Sequence, residues 1–238
     1  HNNHQFTMNN CLIVCNGELS KKLLVRFLNL KKLQPGFKII SCDGASDFLY
    51  KHKVTPDFII GDLDGISTKV LNYFRKKNVV IKKIVNQNQN DLEKALIFAL
   101  SKKTKNISII GFAGKRLDHA LNNLSILKKN YKKANILIYD NMFEMFIINK
   151  SAEFKCKIGD VISLIPLPEA QGVKTTGLKY LLKNETLSFG RREGALNEAT
   201  GNYVKIEIKK GELLVLRSVN QFHLNIRVKY HNNDINYN

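Results

Sequence analysis

Over the first 140 residues, short apolar runs rich in β-branched residues alternate with stretches whose apolar positions recur at helical spacing. Runs at 11–15, 38–42, 57–60, 79–85, 107–110 and 135–139 read as strands. Leu92, Ala95, Leu96, Ala99 and Leu100 mark one helical face, and Leu117, Ala120, Leu121, Leu124 and Leu127 mark another. This alternation predicts an α/β domain: a parallel sheet with helices on both faces, joined by right-handed crossovers.

After residue 143 the helical period disappears. Runs at 144–148, 161–165, 203–208 and 212–217 are strand-like, separated by turn signals such as Lys157-Ile158-Gly159-Asp160 and Lys209-Lys210-Gly211-Glu212. They predict a smaller antiparallel, sandwich-like all-β domain. The expected division is residues 8–143 and 144–230. Phe222, Leu224, Ile226 and Val228 alternate well enough for one more strand before an Asn-rich tail.

Composition narrows the class. A hydrophobic share of 44% and an aromatic share of 9% in 238 residues suit a soluble globular chain. No apolar run approaches the roughly 20 residues that span a bilayer, and the polar start carries no signal segment, so no membrane association is expected. Residues 1–7 read as a non-native remnant before a natural start at Met8. The four cysteines form no Cys-x-x-Cys pair and no Cys/His cluster at zinc spacing, and read as buried free thiols of a cytoplasmic protein. The net charge of +18 is spread in doublets such as Lys21-Lys22, Lys76-Lys77 and Lys132-Lys133. Scattered doublets read as solvated faces, which argues against a nucleic-acid partner, while the field still favours a polyanionic substrate such as ATP.

The polar residues collect at the strand ends. Asn16-Gly17 follows the first strand and Asp43-Gly44 the second. Gly61-Asp62-Leu63-Asp64-Gly65 follows the third, and a polar run from Asn86 to Asp91 the fourth. Gly111-Phe112-Ala113-Gly114-Lys115-Arg116-Leu117-Asp118 follows the fifth. In open parallel sheets the carboxyl ends of the strands form the ligand crevice, so all five clusters face one site. So many carboxylates facing one site repel one another unless a cation intervenes, and Mg²⁺ prefers carboxylate, water and phosphate oxygen. Asp91 could instead cap its helix, Asp43 could be a turn residue and Asp118 could complement a helix N-terminus. Lys94, Lys115 and Arg116 bring the positive charge that suits phosphate. Neither a dinucleotide fingerprint nor a P-loop is present.

These motifs, in this order, resemble the thiamine pyrophosphokinase family: Cys42-Asp43-Gly44-Ala45, Pro56-Asp57-Phe58-Ile59-Ile60-Gly61-Asp62-Leu63-Asp64, Asn90-Asp91-Leu92-Glu93-Lys94-Ala95, and Gly111 to His119. A weaker match is Thr176-Gly177-Leu178-Lys179-Tyr180. The resemblance implies Mg²⁺-dependent transfer of pyrophosphate from ATP to the hydroxyl of thiamine, giving thiamine diphosphate and AMP. It implies an α/β domain that holds ATP and Mg²⁺, then a β domain for thiamine binding and dimerisation, in a homodimer. By motif position, Asp62, Asp64 and Asp91 would hold the metal, and Asp43, Asp64, Asp118 and Arg116 would be catalytic. Asn16, Gly17, Gln87, Lys94, Gly111, Lys115 and Asn197 would bind the ligands. The proton acceptor is Asp64 or Asp118. Three positions depart from the family pattern: Gly65 replaces a serine, Asn86-Gln87 an Asp-Gln pair, and Leu196-Asn197 a Ser-Asn pair. The alternatives are a pyrophosphokinase of the same fold acting on a pterin alcohol, and a non-catalytic nucleotide- or RNA-binding protein.

Overall fold

In the computed structural model, residues 8–114, 116–218 and 229–231 are described, and the chain divides between Asp140 and Asn141 into two compact units. The first unit carries strands β1 (Asn10–Val14), β2 (Lys38–Cys42), β3 (Phe58–Gly61), β4 (Val80–Lys83), β5 (Asn106–Ile110) and β6 (Asn135–Tyr139). They pair in the order β6-β5-β1-β2-β3-β4, all parallel. Leu12, Ile13, Ile39, Ile40, Ile59, Ile60 and Ile109 are each at most 1% exposed. Neighbours in sequence point to opposite faces of a sheet, so both faces are covered.

The helices are α1 (Lys21–Leu33), α2 (Ala45–Lys51), α3 (Thr68–Lys76), α4 (Asp91–Ser101) and α5 (Leu117–Asn130). Right-handed crossovers put α1 to α3 on one face as the chain steps from β1 out to β4. The return from β4 to β5 skips three strands, and α4 lies across β3, β2 and β1 on its way back. Strand order therefore reverses between β1 and β5, whose carboxyl ends flank the switch-point crevice.

One helical face differs from its prediction. The α4 face holds, with Leu92, Ala95, Leu96 and Ala99 buried. On α5, Leu117 and Leu121 are 72% and 59% exposed, while Asn123, Ile126, Leu127 and Asn130 face inward. The reason is polar: the Asn123 amide donates to the Phe112 carbonyl (2.7 Å) and accepts from the Asn90 amide (2.8 Å). These bonds turn α5 by roughly one residue position, about 100°.

The second unit comprises β7 (Phe143–Ile148), β8 (Ser151–Lys155), β9 (Val161–Thr176), β10 (Lys183–Ser188), β11 (Gly194–Glu198), β12 (Tyr203–Glu207), β13 (Lys210–Ser218) and β14 (Lys229–His231). Every pairing is antiparallel. At 16 residues, β9 serves four partners: β11 then β10 along one edge, β13 then β12 along the other. The sequence suggests only its first five residues, because Pro166, Pro168 and Gly172 interrupt the pattern. The strand expected around Phe222 to Val228 lies outside the described residues.

A buried ion pair stitches this unit together. Arg217 on β13 stands opposite Glu144 on β7, and its guanidinium donates to the Glu144 carboxylate. It also donates to the Lys155 carbonyl (3.3 Å) and lies 5.0 Å from the centre of the Phe154 ring. Both side chains are almost wholly buried, so neither charge tolerates losing its partner. Glu144→Leu alone is expected to cost about 3–5 kcal/mol of stability, and adding Arg217→Met should restore most of it. Urea unfolding of the two single variants and the double variant checks this; additive losses would mean the pair is not coupled.

Candidate active site

The walls of the site are two loops locked together by their backbones. Beyond β1 and β5 the pairing continues, with Cys15 donating to the Ile110 carbonyl (2.9 Å), Gly17 to Gly111 (2.9 Å) and Glu18 to Ala113 (2.7 Å). A β-carbon on Gly17 would lie 2.3 Å from two carbonyl oxygens, and one on Gly111 2.2 Å from the Cys15 carbonyl, at a φ of +69°. Only glycine permits so close an approach. Between these loops and the start of α4 opens a cleft of about 760 Å³. Asn16, Gly17, Asp91, Gly111 and Arg116 all line it.

Beside the cleft the carboxylates gather. Gly61 ends β3, and its backbone is wedged between the Asp43 side chain and the Asp91 carboxylate. Leu63, between Asp62 and Asp64, takes a φ of +71°. A branched residue held in that left-handed conformation costs about 1–3 kcal/mol, strain that concentrates at functional loops. Oxygens of Asp43, Asp62 and Asp64 all lie within 4.8 Å of one another. Asp43 is fully buried; one of its oxygens accepts the Gly65 backbone N–H (2.9 Å), and the other has no hydrogen-bond partner among the described residues. A buried carboxylate with an orphaned oxygen, gathered with two further carboxylates, fits a hard divalent cation such as Mg²⁺. By geometry the converging set is Asp43, Asp62 and Asp64; Asp91, expected as a ligand, stands outside that set and, like Asp62, pairs with Lys94.

Lys94 is the internal counter-ion. Its ammonium, 2% exposed, lies 3.1 Å from Asp62 and 3.3 Å from Asp91. Burial pulls its pKa down, but the two carboxylates outweigh burial and hold it raised. The bond shared with the Asp64 side chain, then that with Lys94, holds Asp62 below the usual carboxylate range. Burial pushes Asp91 up in spite of Lys94. Burial likewise raises Asp43, against the Gly65 hydrogen bond, and the charges of Asp91, Asp62 and Asp64 add to the rise.

The other expected residues sit differently. Arg116 and Asp118 form an exposed bidentate pair, with Nε 3.1 Å from one Asp118 oxygen and Nη2 2.5 Å from the other. That pair, above all its side-chain hydrogen bonds, lowers the Asp118 pKa to about 2. Gln87 is exposed at the corner of the 86–89 turn, outside the cleft walls. Lys115 lies outside the described residues. Asn197, in the second unit, is buried; its amide accepts from Tyr180 N–H (3.0 Å) and Glu198 N–H (2.9 Å) and donates to the Tyr180 carbonyl (2.7 Å). Its visible task is to hold the Tyr180 loop. Leu196 beside it is 76% exposed at a φ of +57°.

Asn90, Asn123 and His119, to which the sequence motifs assign no site role, also line the cleft. Asn90 caps α4 by accepting the Glu93 N–H (2.9 Å). The Asn-x-x-Glu spacing was a legible signal for that cap.

A family model described as "Thiamin pyrophosphokinase, catalytic domain" matches residues 32–139. A second, "Thiamin pyrophosphokinase, vitamin B1 binding domain", matches residues 147–213. The chain belongs to the thiamin pyrophosphokinase family.

The thiamine pyrophosphokinase of Bacillus subtilis is 29% identical over 184 residues, spanning 75% of this chain and 86% of that one. The Saccharomyces cerevisiae thiamine pyrophosphokinase is 26% identical over 60% of this chain and 45% of its own. The B. subtilis crystal structure superposes with a TM-score of 0.78 at 25% identity, covering 89% of this chain and all of that one. The yeast crystal structure, at 20% identity and a TM-score of 0.77, shares the fold. Like them, this family member is an enzyme built as an α/β domain followed by antiparallel strands.

Asp43 supplies a direct check on the charge cluster. Its raised pKa means that the folded protein disfavours the charged form, so at neutral pH the ionised carboxylate works against folding. Asp43→Asn keeps an acceptor for the Gly65 N–H and faces its amide toward Asp62 and Asp64. In metal-free buffer at pH 7 this change should raise the unfolding midpoint by about 3 °C, the shift for roughly 1 kcal/mol in a domain of this size. At pH 3, where Asp43 itself is largely protonated whether the chain is folded or unfolded, the difference should vanish. A lower midpoint at pH 7 would show that the carboxylate is not repelled by its neighbours.

Proposed function

We propose that the chain transfers a pyrophosphoryl group from ATP to the hydroxyl of thiamine, releasing AMP, with Mg²⁺ as the metal. The observation that carries this reading is the convergence of Asp43, Asp62 and Asp64 beside a glycine-walled cleft at the switch point of the sheet. In-line attack on the β-phosphorus needs alignment and charge neutralisation more than it needs a covalent nucleophile. Mg²⁺ bound by Asp43, Asp62 and Asp64 would supply that neutralisation at the phosphate oxygens, with Asp91 nearby.

The chain's own residues do the rest. Gly17 and Gly111 let the two loops that wall the cleft pair closely, which would hold it in shape for the triphosphate. Arg116, on the cleft wall, offers a planar fork to phosphate oxygens, and Asp118 holds that fork in place. Lys94 keeps Asp62 and Asp91 from repelling each other before the ligand arrives. Asp118 makes a poor proton acceptor, because its pKa of about 2 leaves it weakly basic. Asp64 is therefore our choice to take the thiamine hydroxyl proton.

The acceptor belongs to the second unit on this reading, residues 144–230, with the catalytic unit at 8–143. Exposed Tyr180 (64%), Leu181 (49%) and Leu196 (76%) cluster around the Asn197 hydrogen bonds and support a homodimer contact there. Sedimentation or light scattering giving a monomer mass would sink the dimer. Cytoplasmic residence is supported by four cysteines that stay free. Among the described residues no helix is long and apolar enough to cross a membrane. Basic charge without a clustered patch supports no nucleic-acid role.

Measuring AMP release from Mg-ATP, with and without thiamine, tests the reaction. Thiamine-dependent release is expected, and release driven by a pterin alcohol but not by thiamine would transfer the assignment to that acceptor. Asp62→Ala and Asp64→Ala should each lower turnover by at least about 100-fold with the fold intact, as expected for loss of transition-state charge stabilisation. Near-normal turnover in both would remove the metal assignment.

A further inference from the structure

Two residues on the cleft wall have no part in phosphate chemistry. Cys15 and Cys42 stand one position beyond the paired Val14 and Ser41 of β1 and β2. Their sulfurs are 3.8 Å apart. Both face the switch-point cleft, with 5% and 1% of their surface exposed. Adjacent strands run about 4.8 Å apart, within the roughly 4.4–6.8 Å between α-carbons that a disulfide spans. The other two cysteines are placed elsewhere. Cys11 lies four residues back along the strand, and Cys156 donates to the Gly201 carbonyl (3.3 Å).

We propose that Cys15 and Cys42 form an oxidisable dithiol in the wall of the nucleotide cleft, which a small peroxide converts to a disulfide that weakens nucleotide binding. This rests on the reading of the cleft as the ATP site. One thiol attacks the peroxide O–O bond, takes one oxygen as a sulfenic acid and releases water. The second thiol then attacks the sulfenic sulfur; the S–S bond forms, and the displaced hydroxyl leaves with the thiol proton as a second water. Two thiols lose two electrons, and one peroxide becomes two waters.

The consequence follows from position. Closing the sulfurs from 3.8 Å to about 2.05 Å pulls on both strand ends. Those ends carry Asn16, which packs on the Gly44 backbone, and Asp43, which accepts from Gly65. A bound nucleotide lying over the sulfurs would in turn shield them from the oxidant.

The experiment treats the full chain with hydrogen peroxide, alkylates the remaining thiols in denaturant, and maps the peptides by mass spectrometry. A Cys15–Cys42 cross-link reversed by dithiothreitol is expected, with Cys11 and Cys156 alkylated. The dissociation constant for ATP should rise by about tenfold or more on cross-linking, and saturating ATP should slow the cross-link. Alkylation of all four cysteines would overturn the proposal, as would a cross-linked protein with unchanged ATP affinity. In Cys15→Ser and Cys42→Ser, peroxide should leave each variant's own ATP affinity unmoved; an equal loss there would also overturn it. If the reduced protein binds no ATP, the nucleotide reading fails, and the peptide map alone decides whether the dithiol exists.

Discussion

Negative charge crowded at the ends of β2 and β3 is the constraint around which the catalytic unit is arranged. Asp43, Asp62, Asp64 and Asp91 share a small volume, and one of them is fully buried with an oxygen that no group among the described residues satisfies. Such a cluster is unfavourable in isolation. Lys94 offsets part of the repulsion through two carboxylates and gives up almost all contact with water to do so. The Gly65 N–H offsets a little more. What remains uncompensated is the affinity for a cation, so the local instability and the proposed metal binding are one property of the same atoms.

The second element is rigidity without side chains. Gly17 and Gly111 allow two loops to pair as an extension of the sheet, so the cleft is walled by backbone held to within hydrogen-bond tolerance. Cleft walls of this kind gain from preorganisation, because little has to be ordered when a ligand arrives. The asparagines at 90 and 123 extend that order into α4 and α5. The departure from the family pattern at Gly65 removes a hydroxyl, yet its backbone N–H is what anchors Asp43.

How much could be read in advance differs by residue. The strands at 11–15, 38–42, 57–60, 107–110 and 135–139 correspond closely to β1, β2, β3, β5 and β6, because buried parallel strands are written as continuous β-branched runs. The acidic positions were visible because each follows such a run. The face of α5 was misjudged: two asparagine hydrogen bonds outweighed a leucine stripe, and periodicity carries no information about polar partners from other elements. β8, β10, β11 and most of β9 escaped notice, since prolines, glycines and short lengths erase the alternation that marks an antiparallel strand.

The sequence by itself determined the class of fold, the order of its two parts, the family and which acidic and basic residues collect at the strand ends. Those follow from local pattern and from motifs that repeat at strand ends. Only the tertiary structure decided which carboxylates converge. It joined Asp43 to Asp62 and Asp64, set Lys94 between Asp62 and Asp91 as an internal counter-ion, and paired Asp118 with Arg116 at the surface. It also brought Cys15 and Cys42 face to face. Distances between side chains on different strands depend on register, twist and loop conformation, which are settled by packing across the whole sheet and leave no trace in local spacing.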